Sequence, residues 1–126
     1  MITNYLSFKN QKYLNIETFR RNGTGVWTPV WFVQNGEVLY IRTGANSGKV
    51  KRIRNNARVN IAPCKMDGTL LGDWVSAVAR KLDDESITNK VDHLLGKKYG
   101  VMKKLFSLVG GRNGLESTIL ELKVSE

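Results

Sequence analysis

The sequence predicts a small, mainly antiparallel β-barrel of six strands with a few short helices. Runs of alternating apolar and polar residues recur along the chain, and this period of two is typical of strands with one buried face. Two connections carry Asn-Gly pairs, at 22–23 and 35–36, which favour tight hairpin turns. The length of 126 residues suits one domain, 1–126, with a single core.

The first three strands are predicted at 13–20, 24–33 and 37–43, as an antiparallel meander. Pro29 interrupts the second of them. Because proline cannot donate to a sheet ladder, we expect Pro29 at an edge, a bulge or a break. Such a break can expose backbone groups to a ligand, and a simple kink of the strand is an equally good interpretation.

A helix and further strands follow the meander. Ser47 is a favourable N-cap for a two-turn helix over 48–56, in which Val50 and Ile53 would face inward. Strands are predicted at 57–64 and 73–82, and a closing strand at 117–124. Between the last two, helical spacing predicts an insert at about 84–110, made of helices at 83–100 and 101–111.

The charge of the chain bounds its partners. Twenty Lys and Arg against eleven Asp and Glu give a net charge of +9, which favours a nucleic acid or an anionic small molecule. A solvated surface of lysines is the plain alternative. The chain has no apolar run long enough to span a membrane, no signal-peptide pattern at its start and a single cysteine, so we expect a cytoplasmic protein without a membrane partner.

The sequence offers no set of side chains that would form a catalytic site by themselves. The only histidine, His93, falls on a helical face, and Cys64 follows a strand as a small packed residue would. One Cys and one His do not make a zinc site, so no metal is expected. No residue is assigned a catalytic role, and an organic cofactor would carry the chemistry of an enzyme built on this chain.

The stretch 42–54 is the strongest candidate for a binding site. Thr43 and Ser47 offer hydroxyls, Gly48 allows close backbone approach and Lys49 adds charge where a helix begins. Backbone amides at a helix start favour an anion, whereas a lysine there is unfavourable without one. The stretch therefore predicts a phosphate site, with solvated lysines as the alternative.

Two segments of the chain resemble the pyridoxamine 5'-phosphate oxidase-like split β-barrel family. They read TPVWFVQNGEVLYIRTGANSGKVKRIRNNARVNIAPC and GDWVSAVAR. The likeness covers residues 10–82 and is greatest to the branch that uses the deazaflavin coenzyme F-420 in place of FMN. It implies a homodimer with the cofactor in a groove between the two chains. One departure is Gly48, where the FMN oxidases of the family usually have an arginine.

The resemblance also implies roles for individual residues. The cofactor phosphate would contact Thr43, Ser47 and Lys49, beside Gly48. Arg52 and Arg54 would reach the phosphate or an acidic tail. The flavin-like ring would be lined by Thr28, Pro29 and Val30, whereas Trp31 and Trp74 are either groove wall or packed aromatics.

The function that the resemblance implies is hydride transfer between coenzyme F-420, or alternatively FMN, and a small-molecule acceptor. Oxidation of pyridoxamine phosphate itself is disfavoured, because the C-terminal arginine and histidine of the vitamin B6 oxidases have no match. A flavin- or heme-binding module without turnover is the alternative. A nucleic-acid-binding barrel is a third, in which Trp27, Trp31 and Tyr40 would stack bases.

Overall fold

The computed structural model describes residues 7–100 and 117–125 of the chain. In these ranges the protein forms one antiparallel sheet and two helices. The elements are β1 Tyr13–Phe19, β2 Gly25–Val30, β3 Val33–Asn35, β4 Val38–Gly44, α1 Gly48–Asn55, β5 Arg58–Cys64, β6 Val75–Leu82, α2 Glu85–Tyr99 and β7 Ser117–Val124.

The sheet has seven strands in the order β2-β1-β5-β6-β7-β4-β3. Its two outermost strands, β2 and β3, are joined by only two residues, Trp31 and Phe32. In a flat sheet of seven strands the outer strands would lie about 29 Å apart, whereas a link from Val30 to Val33 spans at most about 11 Å. The sheet must therefore curl until its edges approach, which gives an antiparallel half-barrel consistent with the split-barrel fold.

The predicted number of six strands is wrong, because the run expected as one strand over 24–33 divides into β2 and β3. The predicted meander is wrong for the same reason. β2 pairs with β1, and β3 forms a short hairpin with β4, but β4 has β7 as its other neighbour. The expected β1–β2 hairpin and the expected closing strand over 117–124 are confirmed.

Turn chemistry behaves as the sequence predicts. Gly23 and Gly36 have φ angles of 89° and 64°, which only glycine adopts readily, and each lies in a hairpin connection. Pro29 lies on the edge strand β2, opposite Asn15 of β1. The expectation that Pro29 belongs at an edge is confirmed. Strand β2 ends one residue after it, at Val30, and strand pairing is interrupted at Trp31 and Phe32.

Two hydrophobic clusters hold the fold together. The larger fills the inside of the curled sheet and includes Val50 and Ile53 of α1, which the sequence predicted to face inward. The smaller lies on the outside of the sheet, where Val91 and Leu95 of α2 cover Tyr40 and Ile119. α1 therefore closes the inner core, and α2 covers the outer face of β3, β4 and β7.

The helix predicted over 83–100, the first part of the expected insert at about 84–110, is present as α2, which has Asp84 as its N-cap and ends at Tyr99. The helix expected over 101–111 lies outside the described residues. Among the helices that the structure describes, none is long and apolar enough to cross a membrane.

Candidate functional site

The start of α1 is built as the sequence predicts. Ser47 is the N-cap, in extended conformation, and its Oγ accepts the amide of Val50 at 3.4 Å. The amide of Ser47 in turn donates to the carbonyl of Gly44 at 3.1 Å, which turns the chain from β4 into the helix. The first turn of α1 contains no acidic residue, so its free amides face no carboxylate of their own turn.

Arg52 folds back toward this helix start. Its Nε donates to Oγ1 of Thr18, a fully buried residue of β1, at 2.6 Å. Its Nη1 lies so close to Gly48 that a Cβ on that residue would come within 2.8 Å of it. The guanidinium is thus held beside the first residue of α1, although Arg52 itself belongs to the last turn of the helix.

Lys49 brings a second cation to the same place. Burial lowers the pKa of Lys49, and the positive charge of Arg52 lowers it further. Neither side chain forms an ion pair with any residue in the described ranges. We call Ser47, Gly48, Lys49 and Arg52 the cationic corner: two adjacent cations and the amides of a helix start, all of which attract negative charge.

The donor set of the cationic corner fits a phosphate. A phosphate carries acceptor oxygens only, and the corner offers backbone amides, a hydroxyl, an ammonium and a guanidinium. The Arg52 guanidinium occupies the place that a Cβ of Gly48 would take, so the missing Cβ is what lets this cation lie beside the first residue of α1. Burial is the main reason that the pKa of Lys49 is lowered, and the nearby charge of Arg52 adds to it, so an anion between the two cations would be favourable.

Thr43 and Arg54 were also predicted to contact the phosphate, and of the two only Thr43 lies next to the cationic corner. Thr43 is half-buried at the end of β4, opposite Thr118 of β7, and one short turn separates it from Ser47. Arg54 is exposed near the other end of α1. Seven residues of helix separate its backbone from Ser47 by about 10 Å, so the structure does not bring Arg54 into the corner.

The segment predicted to line a ring lies on β2, the edge of the sheet. Thr28 is opposite Ile16 of β1, one step along the same face from the pair between Thr18 and Val26. Thr18 therefore connects this segment to the cationic corner through Arg52. Pro29 is exposed, and Val30 packs against the inner core, so the segment offers a ligand mainly its backbone edge and Thr28.

The break that ends β2 is held by side chains of α2. Trp31 stacks on Tyr99 with 4.2 Å between ring centroids and 7° between ring planes. The amide of Phe32 donates to the Tyr99 hydroxyl at 3.1 Å, and Lys98 donates to the Phe32 carbonyl at 2.9 Å. The backbone groups of Phe32 are thus satisfied by α2 rather than by a neighbouring strand.

The remaining aromatic candidates are packed. Trp31 lies against α2, and Trp74 packs edge-on against Trp27 at 4.9 Å. Tyr40 is buried in the outer cluster. Of the three aromatics expected to stack bases, only Trp27 is well exposed, at 54%. This arrangement does not provide the row of exposed rings that single-stranded nucleic acid needs.

His93 and Cys64 lie away from these features. His93 is exposed on α2, and Cys64 is buried, which raises the pKa of its thiol to about 11. A thiol with so high a pKa is a poor nucleophile at neutral pH. Over residues 7–100 and 117–125, His, Cys, Asp and Glu form no group of three that could hold a metal ion.

Sequence reasoning missed three residues of this region: Thr18, Lys98 and Tyr99. Thr18 is a polar residue at a buried position of β1, and that is the signal from which a partner such as Arg52 could have been inferred. Lys98 and Tyr99 carry no such signal, because their contacts with Phe32 join residues more than sixty positions apart.

No protein-family model matches the chain, and no curated protein matches it. Solved structures share its fold. The heme storage protein HutZ from Vibrio cholerae has a TM-score of 0.72 at 16% identity, over 98% of this chain and 89% of that one. A candidate pyridoxamine 5'-phosphate oxidase from Listeria innocua has a TM-score of 0.69 at 12% identity, over 98% and 92% of the two chains.

An F-420 reductase is a third structure of the same fold, with a TM-score of 0.61 at 16% identity over 96% of this chain and 92% of that one. The curled sheet is therefore the fold that the resemblance to pyridoxamine 5'-phosphate oxidase-like proteins implied. At these identities the likeness establishes the fold alone, which proteins of several activities share.

Proposed function

We propose that the protein is an oxidoreductase that binds coenzyme F-420, with FMN as the alternative, and transfers a hydride between this cofactor and a small-molecule acceptor. The observation that carries the proposal is the cationic corner, in which Lys49 and Arg52 meet at a helix start without a carboxylate partner among the described residues. The shared fold with an F-420 reductase supports it.

In this proposal the amides at the start of α1, the Ser47 hydroxyl and Lys49 hold the cofactor phosphate, with Thr43 beside them. Arg52 supplies a guanidinium whose direction is fixed by Thr18. Arg54, exposed near the other end of α1, would meet an acidic tail rather than the phosphate. The net charge of +9 favours F-420, whose tail of glutamates makes it more anionic than FMN.

The ring of the cofactor would lie along the backbone edge of β2, at Thr28, Pro29 and Val30. When bound, the deazaflavin or flavin ring supplies the hydride chemistry, and the protein orients the reactants. A second copy of the chain would complete the groove, since a barrel of this size fills its own interior with side chains.

The first test is direct titration of purified protein with F-420 and with FMN, followed by absorbance and fluorescence. We expect micromolar or tighter binding of at least one, with F-420 preferred. Lys49→Gln should weaken binding about tenfold, the loss of one charge-assisted contact. Lys90→Gln, which removes an exposed lysine of α2, is the matched control and should change nothing. Failure of both cofactors to bind at micromolar concentration would sink the proposal.

A flavin- or heme-binding module without turnover is the second candidate, and the shared fold with the heme storage protein HutZ favours it. The colour of the protein as purified separates the two cases. An intense Soret band, together with no reduction of any acceptor by protein loaded with F-420 or FMN, would favour heme handling over the oxidoreductase.

A further inference from the structure

A second cavity lies away from the cationic corner, between the turn at residues 8–12, strand β3 and the end of α2. Its volume is about 570 Å³, within the range of sites for small molecules. Its walls combine two aromatic rings with three lysines: Phe8, Phe32, Lys9, Lys12 and Lys98. We call these five residues the lysine pocket. None of the described residues that line the cavity is acidic.

Lys98 is the lysine whose charge is best placed. Its side chain is exposed along part of its length, but its ammonium nitrogen lies 3.5 Å from the centroid of the Phe32 ring. The same nitrogen donates to the Phe32 carbonyl at 2.9 Å. One carbonyl and one ring face satisfy part of an ammonium with three donors, and Lys98 forms no ion pair within the described residues.

The surroundings of Lys98 add to its unmet charge. Partial burial lowers its pKa to about 8, so the group remains mostly cationic at neutral pH although it is partly removed from water. Lys9 and Lys12 are exposed on the same wall. Three positive charges around one cavity, with no carboxylate among its described lining residues, favour an anion inside it.

The floor of the cavity is aromatic. Phe8 and Phe32 pack edge to face, with 6.0 Å between centroids and 82° between ring planes, and both are almost completely buried. The two rings therefore form a closed floor that presents almost no surface to a ligand, and the groups that could recognise one are the lysines above it. We infer that the lysine pocket binds a small organic anion, whose negative charge meets the three lysines.

This inference does not rest on the proposed function, because none of the residues assigned to the cofactor lines the lysine pocket. The competing interpretation is that Lys98 serves the fold alone, by bonding Phe32 near the end of α2. The two interpretations differ in whether an anion binds at the cavity and whether an exposed lysine, Lys12, contributes to that binding.

Phenyl phosphate is the probe, titrated into protein labelled with nitrogen-15 while backbone amide shifts are followed. We expect shifts at Gln11, Gln34 and Gly36, which surround the cavity. These shifts should persist in the Lys49→Gln variant, which weakens anion binding at the cationic corner. Shifts confined to residues 44–52 would assign the anion to the cationic corner and overturn the inference.

Variants then test the lysines. Lys98→Gln should raise the dissociation constant about tenfold. Lys12→Gln, which changes only an exposed side chain, should raise it severalfold. Neutral phenol should bind at least about tenfold more weakly than phenyl phosphate. An unchanged affinity in Lys12→Gln and Lys98→Gln, or equal binding of phenol, would contradict the inference whatever the outcome for F-420 and FMN.

Discussion

Arg52, one turn further along α1, leaves no room for a side chain at position 48. A Cβ at this position would come within 2.8 Å of the Arg52 guanidinium, which Thr18 anchors from β1. A larger residue at 48 and this placement of Arg52 therefore exclude each other. The arginine that the FMN oxidases usually carry between serine and lysine is absent here, and the next turn of the helix brings a guanidinium to the same end of α1.

Replacing Gly48 by Ala tests this arrangement. The added methyl should displace the Arg52 guanidinium and weaken binding of F-420 or FMN by roughly three- to tenfold. The free energy of unfolding should change by no more than about 1 kcal/mol, since alanine favours the helix. Isothermal titration calorimetry and urea unfolding measure the two quantities.

Gly96→Ala is the matched control for this substitution. Gly96 lies inside α2, and an added Cβ would meet nothing within 4 Å. The change should raise the free energy of unfolding by roughly 0.5–1 kcal/mol and leave cofactor affinity as it was. Equal affinity of the Gly48→Ala variant and the wild type would refute the role given to Arg52.

Lys98 makes a pH-dependent contribution to stability. Burial lowers its pKa from 10.5 to about 8, so between these values the unfolded chain holds a proton that the folded chain has lost. Stability from this group therefore rises with pH across that window. Cys64 and Tyr99, whose pKa values burial raises to about 11 and about 12, act in the opposite direction at higher pH.

The comparison of wild type with Lys98→Gln isolates this group. As pH rises from about 7 to about 10, the wild type should gain unfolding free energy relative to the variant, because only the wild type carries the lowered pKa. Urea unfolding at each pH provides the measurement. A difference that stays constant over the range would show that the folded state does not perturb Lys98.

At the scale of elements, the end of α2 decides where β2 stops. The Tyr99 hydroxyl accepts a hydrogen bond from the amide of Phe32. The same hydroxyl oxygen lies 2.7 Å from the Lys12 carbonyl oxygen and 3.0 Å from the Phe32 carbonyl oxygen. Its ring also stacks on Trp31. One side chain thus replaces strand pairing at the break and ties the turn before β1 to α2.

Tyr99→Phe keeps the stacked ring and removes the hydroxyl. We expect a loss of about 1–3 kcal/mol in the free energy of unfolding, since a partly buried backbone amide loses its acceptor. Tyr13→Phe is the matched control, because the Tyr13 hydroxyl makes no hydrogen bond within the described part of the chain. Similar midpoints of urea unfolding for the two variants would show that the Tyr99 hydroxyl does not hold the break.

The elements differ in how well the sequence predicted them. α1 follows from its own residues, because a serine cap and two apolar positions three apart are local signals. The division of 24–33 into two strands does not follow from the residues of that segment, because the alternation of side chains typical of a strand continues through the break. What stops the strand is Tyr99, which is distant in sequence and close only once the sheet has curled.

For the whole molecule, charge is the property that bears most on ligand choice. The chain has a net charge of +9. Lysines and an arginine without acidic partners among the described residues gather at two separate places, the cationic corner and the lysine pocket. Coulombic attraction between exposed charges weakens as salt screens it, with a Debye length of about 10 Å at 0.1 M. The more anionic ligand should therefore show the steeper salt dependence.

We expect the affinity for F-420 to fall more steeply with sodium chloride than the affinity for FMN. Arg54→Gln should flatten the dependence for F-420 while it leaves that for FMN unchanged, since Arg54 is assigned to the tail alone. Titrations from 50 mM to 500 mM salt by fluorescence would measure both slopes. Identical slopes for the two ligands would contradict the assignment of the outer cations to an acidic tail.

The sequence by itself determined the mainly antiparallel fold, the cap and inward face of α1, and the group of Ser47, Gly48 and Lys49, because alternation, turn residues and helix caps are local patterns. The tertiary structure alone decided that there are seven strands, that Thr18 directs Arg52 back over Gly48, and that Lys98 and Tyr99 meet Phe32. These contacts join distant parts of the chain, and they form only when the sheet curls and brings its edges together.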